Sequence, residues 1–356
     1  MSDIDTQRAP CITARRSWTS LALGLGVVAG TLVVPLLAGC ATPRPVPSAA
    51  PVLEPELAAE YARMPDGFRL PLRTWGPRGS DTLVLGLHGF NDYGKAFAPL
   101  AERLAADGVR VYAVDQRGFG AGLLAGRWHG SEQLATDLRD LAAVLHQRHP
   151  GSRLFVIGES MGAAVVLAAL AEGPLPVDGV VLIAPAVWNR GSMPWYQRAA
   201  LDTLARVAPR TLLTGQGVPI HPTDNMPMLR AMGADPLVLK GAHVDTLWGV
   251  TNLMDRAADG VRQLRGPPTL VLYGERDYII PRSAYCRMVQ DLPQDAPQLR
   301  LVLYRHGWHM LPRDRQGALV RNDIADWIRD PAEPLPSGEE VTPDGARLTR
   351  FCHPGG

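Results

Sequence analysis

The chain has 356 residues, with 36 Lys and Arg against 35 Asp and Glu for a net charge of +1. That balance, with no basic run, leaves no footprint for a nucleic-acid backbone. Its four cysteines show no metal-ligand spacing with each other or with the histidines, and residues 61–330 suffice for one large domain with a sizeable core.

At the N-terminus, Arg15 and Arg16 precede an uncharged apolar stretch from Leu21 to Leu37. The stretch ends in Leu37-Ala38-Gly39-Cys40, which resembles the lipobox of bacterial lipoproteins at every position. The resemblance implies that residues 1–39 are a signal peptide, cut before Cys40, and that the Cys40 thiol carries lipid. The mature chain would then be anchored to a membrane of the cell envelope, with its folded domain outside the cytoplasm. Ala41 stands where an aspartate commonly signals inner-membrane retention, which favours the outer membrane in a cell with two. An uncleaved membrane-spanning anchor is the other reading, because the apolar run is nearly long enough to span. Arg15-Arg16 leaves export by a twin-arginine route open. Residues 40–60 follow as a Pro-rich tether, with Pro43, Pro45, Pro47, Pro51 and Pro55 among small residues, too poor in apolar side chains to bury a core.

Strand-like runs then recur at Thr82–Leu87, Val109–Val114, Leu154–Ile157, Val180–Ile183, Thr269–Tyr273 and Leu301–Tyr304. They are continuously apolar rather than alternating, as strands covered on both faces are. Helix-like segments Ala96–Asp107 and Glu132–Arg148 lie between the early ones. In the second, Leu134, Leu138, Leu141 and Leu145 fall on one helical stripe and read as core. Alternating strand and helix predict an α/β domain with a mostly parallel central sheet and helices on both faces. The alternation breaks over residues 186–261, which read as a helical lid insertion. Leu201, Leu204 and Val207 or Ala208 suggest one amphipathic lid helix, and Leu247, Trp248, Val250, Leu253, Met254 and Ala257 another. Its Met and Trp side chains suit either acyl chains or plain packing onto the core. Residues 331–356, rich in Pro, Gly and charge, are expected to be poorly ordered.

The chemistry concentrates in Gly158-Glu159-Ser160-Met161-Gly162, a G-x-S-x-G pentapeptide between a strand-like and an Ala-rich helix-like run. Strand, sharp turn and helix are the context of a nucleophile elbow, which strains the serine and exposes its hydroxyl. Ser160 is the candidate nucleophile. A serine needs a histidine to take its proton and an acid to fix that histidine's tautomer, and both belong after later strands. Gly274-Glu275-Arg276-Asp277 follows the fifth strand run and offers Asp277, with Glu275 as the competitor. His306-Gly307-Trp308-His309 follows the sixth and offers His309, with His306 as the rival. His88-Gly89-Phe90 follows the first, where an oxyanion-hole loop belongs, so the backbone N–H groups of Phe90 and Met161 are the expected donors. His88 then braces the loop. The other histidines have no position after the late strands.

Five ordered pieces carry a resemblance. Leu87-His88-Gly89-Phe90-Asn91-Asp92, Asp115-Gln116-Arg117-Gly118-Phe119-Gly120, the serine pentapeptide, Gly274–Asp277 and Gly307-Trp308-His309-Met310-Leu311 together resemble the α/β-hydrolases of the monoacylglycerol lipase and lysophospholipase group, also classed as serine aminopeptidases. The resemblance spans about Arg63 to Ile328. It implies the α/β-hydrolase fold and a Ser160–His309–Asp277 triad working through an acyl-enzyme without metal or cofactor. The implied substrate is a lipid ester with one acyl chain, lysophospholipid or monoacylglycerol, and no protein partner is implied. Phe119 departs from the histidine that many members carry in that loop, and Arg117 is expected to brace it. An esterase of simple esters, an aminopeptidase, or a binding lipoprotein without catalysis are the alternatives. An aminopeptidase would want an acidic cluster near the lid, where Asp224, Asp235 and Asp245 are scattered. Cys286 and Cys352 remain after processing, and the sequence leaves their pairing open.

Overall fold

A computed structural model describes residues 42–215, 221–293, 296 and 298–353. Cys40 and the stretch expected to be a signal peptide lie outside the described residues. The chain enters through β1 (Glu56–Leu57), β2 (Tyr61–Arg63) and β3 (Arg69–Trp75), then β4 (Thr82–Leu87), α1 (Ala98–Ala106), β5 (Arg110–Val114) and α2 (Ser131–Arg148). Next come β6 (Arg153–Glu159), α3 (Met161–Glu172) and β7 (Gly179–Ile183). The insertion holds α4 (Trp195–Val207), β8 (Leu212–Thr214), α5 (Met226–Ala234), β9 (Gly241–His243) and α6 (Val244–Val261). The domain closes with β10 (Thr269–Gly274), α7 (Arg282–Asp291), β11 (Leu299–Tyr304), α8 (Gly317–Arg329), β12 (Glu340–Val341) and α9 (Ala346–Cys352).

Among the described residues, ten strands form one sheet in the order β1-β2-β3-β5-β4-β6-β7-β10-β11-β12. From β5 to β11 all neighbours are parallel, and β3 and β12 close the two sides of that block antiparallel. Strand β6 shows why its apolar run is unbroken. Leu154 and Val156 pack under α2, α3 and α6, whereas Phe155 and Ile157 face the opposite core with α1 and α8. Both faces are dry, so alternation vanishes. The N-terminal strands behave differently: in β3, Leu70 and Leu72 are buried while Arg69 is exposed.

Helix α3 is buried along nearly its whole length, and glycines let it come this close. A Cβ on Gly162 would stand 2.0 Å from the Leu87 carbonyl oxygen, and one on Gly158 would stand 2.5 Å from the backbone of Ala163. Gly260 on α6 meets the Leu167 carbonyl of α3 in the same way, at 2.4 Å. Across the sheet, Trp327 of α8 is fully buried edge-on against Phe155. Truncating such a side chain costs about 3–5 kcal/mol.

Two segments differ from their reading in the sequence. Residues 331–353, expected to be poorly ordered, add β12 to the sheet and pack α9 onto α7. Leu348 is buried, and the Phe351 ring meets Tyr273 and Tyr285 edge-on. Cys352 is disulfide-bonded to Cys286, closing 66 residues of chain. Composition counts prolines and glycines but not this covalent closure. The Pro-rich tether also touches the domain: Val46 donates its N–H to the Trp128 carbonyl at 2.8 Å, and Val52 and Leu53 both donate to Pro65.

Candidate active site

Ser160 sits between β6 and α3 with φ 53° and ψ −111°, a left-handed conformation that a serine adopts only under strain. The turn throws its hydroxyl off the end of the strand. His309 arrives on the loop after β11 and Asp277 on the loop after β10. The structure brings all three together: Ser160 Oγ lies 2.9 Å from His309 Nε2, and His309 Nδ1 lies 2.8 Å from Asp277 Oδ2. The other Asp277 oxygen accepts the N–H groups of Ile279 at 2.8 Å and Ile280 at 3.0 Å. This orients the buried carboxylate toward His309. Burial disfavours a charged His309, but the charge of Asp277 and its hydrogen bond outweigh burial and hold the imidazole above its ordinary pKa. A base tuned this way takes a proton from a hydroxyl more readily than free imidazole does.

The rival residues point elsewhere. Glu275 accepts from Arg347 at 3.0 Å, tying α9 down, and His306 is exposed beside Arg276.

The loop after β4 lies against the serine, with the Cβ position of Gly89 3.4 Å from Ser160 Cβ. His88 is buried; its Nε2 accepts the Gln116 N–H at 2.9 Å, which leaves Nδ1 to donate to the Gly89 carbonyl at 2.8 Å. Both ring nitrogens are spent on backbone, and burial pushes the pKa down, so His88 is a neutral brace. Asn91, at φ 63°, turns the chain just beyond Phe90. Met161 is the first residue of α3, where an N–H has no acceptor inside the helix. Phe119 packs edge-on against both His88 and Phe90. Arg117 is buried between Asp66 and Asp137, which it binds at 2.6 Å each, and its role is structural.

One element was not read from the sequence. Arg313, four residues beyond His309, is buried and donates to Asp92 at 2.7 Å and to both oxygens of Glu159 at 3.0 and 3.1 Å. Asp92 ends the loop after β4 and Glu159 precedes Ser160. A single guanidinium therefore joins the loop after β4, the serine turn and the histidine loop. The signal was present as an acid on each of two motifs and a base beside the third, but nothing local pairs them. The lid adds a further brace. The Pro222 carbonyl accepts the N–H groups of His309 and Met310, both at 3.1 Å, and Thr223 bonds Asp314 at 2.7 Å.

Similarity to known proteins agrees with this geometry. A model of the family described as "Serine aminopeptidase, S33" matches residues 79–316. The chain belongs to that family. It is 26% identical over 274 residues to the monoacylglycerol lipase of Mycolicibacterium smegmatis, covering 74% of this chain and 93% of that protein. Human monoglyceride lipase is 26% identical over 283 residues, covering 74% and 88%. Among solved structures, the monoacylglycerol lipase of Paleococcus ferrophilus superposes with a TM-score of 0.62 at 23% identity, over 73% of this chain and 98% of that one. A soluble variant of monoglyceride lipase from Saccharomyces cerevisiae gives 0.60 at 20% identity, over 81% and 98%. The fold is that of the α/β-hydrolases, and the protein is a serine ester hydrolase.

The three lid aspartates of this hydrolase do not converge. Asp235 accepts from Tyr93 Oη at 2.6 Å, Asp245 pairs with Arg210 at 3.0 Å, and Asp224 accepts the Arg315 N–H at 2.9 Å. They form three separate contacts rather than one pocket for an amine.

Proposed function

We propose that this protein is a membrane-anchored lipase of single-acyl lipids, monoacylglycerol or lysophospholipid, and that Ser160, His309 and Asp277 are its triad. The observation that carries the reading is the continuous hydrogen-bonded line from Ser160 Oγ through His309 to Asp277 at a strained strand-to-helix turn. Ser160 Oγ attacks the ester carbonyl carbon while His309 Nε2 takes its proton, and Asp277 stabilises the imidazolium. The carbonyl electrons move onto oxygen, between the N–H groups of Phe90 and Met161. Collapse breaks the ester C–O bond, and His309 returns the proton to the departing glycerol or glycerophosphate oxygen. A water then repeats the attack on the acyl-enzyme and releases the fatty acid.

The substrate class is supported by the monoacylglycerol lipases among the relatives. The anchor rests on Leu37-Ala38-Gly39-Cys40, with Cys40 as its attachment point. The Cys286–Cys352 disulfide supports a location outside the reducing cytoplasm. Fatty-acid release by the full chain from monooleoylglycerol, lysophosphatidylcholine, short soluble esters and aminoacyl anilides tests the reading, with Ser160→Ala as control. Release from the lipids that disappears in Ser160→Ala is expected. Preference for the anilides, or equal release by both proteins, would sink it.

A further inference from the structure

The tether meets the domain at the same end as Ser160. Helix α2 follows β5 and runs back to the start of β6, so its N-terminus lies at the carboxyl edge of the parallel strands, where Ser160 caps β6. There Val46 donates to the Trp128 carbonyl, and Pro45 covers Gly130, the residue preceding α2, whose Cβ position lies 3.3 Å from it. Residues 43–48 form one wall of a cavity of about 630 Å3 whose far side includes Trp248 and Asp255 of α6. Trp248 in turn donates its indole N–H to Asp202 of α4 at 3.3 Å. Tether, α6 and lid helix α4 are thus consecutive neighbours on one end of the molecule.

Among the described residues, helix α4 has an outer face that nothing covers. Among its residues only Ala205 is buried, while Trp195 is 74% and Val207 67% exposed. Tyr196, Ala200, Leu204 and Val207 fall at i, i+4, i+8 and i+11, one apolar stripe opposite Asp202, and Arg198 and Arg206 on the same helix are exposed. An exposed apolar stripe on a helix whose polar side carries arginines is the pattern of a helix lying in a lipid interface. The covalent connection selects the occupant. Cys40 stands three residues before Pro43, a span of at most about 11 Å.

We propose that residues 43–48 are a strap that holds the lid face, through α4, against the bilayer carrying the anchor, so that lipid reaches Ser160 from that surface. The proposal rests on the anchored-lipase reading. It makes the tether an orienting device rather than a free leash: a chain pinned at Val46 cannot present its opposite side to the membrane.

The test uses the full chain, produced with its leader and reconstituted into phosphatidylcholine–phosphatidylglycerol vesicles. Wild type, a Tyr196→Glu/Val207→Glu double variant and Val46→Pro, which removes the N–H donated to Trp128, are compared on monooleoylglycerol in the vesicles and on a short soluble ester. The mass of the N-terminal peptide and sedimentation with vesicles report the anchor. The proposal expects the double variant to lose fivefold or more on the vesicle-borne ester, Val46→Pro to lose less, and the soluble ester to be cleaved equally by all. It also expects brominated lipid to quench a fluorescence component that is missing in Trp195→Phe. An acylated, sedimenting protein that keeps the wild-type rate on vesicles as the double variant or as Val46→Pro overturns the strap alone. A chain without acyl mass that stays in solution overturns the anchored reading and the strap with it.

Discussion

Arg313 offers the sharpest test of how the site is held. Replacing it with methionine keeps much of the side-chain volume and removes the charge that serves Asp92 and Glu159, both buried. Breaking a buried pair leaves an uncompensated charge and costs about 3–5 kcal/mol. Arg313→Met is therefore expected to unfold several kcal/mol more easily in urea, with an unchanged m-value. The electrostatic signature separates this from plain misfolding. Arg313 disfavours a charged His309, whereas Glu159 favours it. Removing the cation raises the His309 pKa further, and activity needs the neutral imidazole, so the acid limb of kcat/KM moves to higher pH. Glu159→Gln moves it the opposite way. A triple variant, Arg313→Met with Asp92→Asn and Glu159→Gln, removes the stranded charges as well and recovers part of the stability. The pH profile on a soluble ester and the urea midpoint decide it. An Arg313→Met protein with wild-type stability and an unmoved acid limb would refute the reasoning.

Asp277→Asn deprives His309 of the charge that raises its pKa, so the acid limb shifts to lower pH while kcat falls by about 10⁴-fold, as measured with a chromogenic ester. Cys352→Ser opens a loop of 66 residues and is expected to cost about 4 kcal/mol on the chain-entropy account, read as a lower urea midpoint. Its turnover at 25 °C stays near wild type because the bond lies outside the triad loops. Gly162→Ala places a methyl 2.0 Å from the Leu87 carbonyl and must displace α3 or β4, so soluble protein, if recovered, retains its secondary structure by circular dichroism but loses ester hydrolysis.

The parts of the fold legible in the sequence are those whose signal is local. Each central strand is buried on both faces, so its apolar run stands out without reference to any neighbour. The elbow is equally local, because Gly158 and Gly162 answer contacts made within one turn of chain and with the adjacent strand. Strands β1 to β3 leave no such run because they sit at the side of the sheet, where only alternate residues such as Leu70 and Leu72 are buried. The choice of Asp277 over Glu275 rests in space on two backbone N–H groups and one histidine nitrogen, which spacing alone cannot assign. Arg313 is the extreme case. Its partners lie 221 and 154 residues away, so its meaning appears only after three loops have met.

That meeting also constrains how the lid can move. The Pro222 carbonyl holds the N–H groups of His309 and Met310, Thr223 holds Asp314, and Asn225 bonds the Arg313 carbonyl at 2.9 Å. The base of the lid is therefore part of the histidine loop, and lifting it would withdraw His309 from Ser160. Among the described residues helix α4 has no comparable hold: it has a single buried residue, and its polar links to the rest run through Asp202 to Arg190 and Trp248. Motion that admits a substrate can be taken up by α4 and β8 while residues 221–225 stay in place. The division follows from the bonds: where the lid touches the chemistry it is fixed, and where it faces outward it is held by a few polar contacts that lipid could replace.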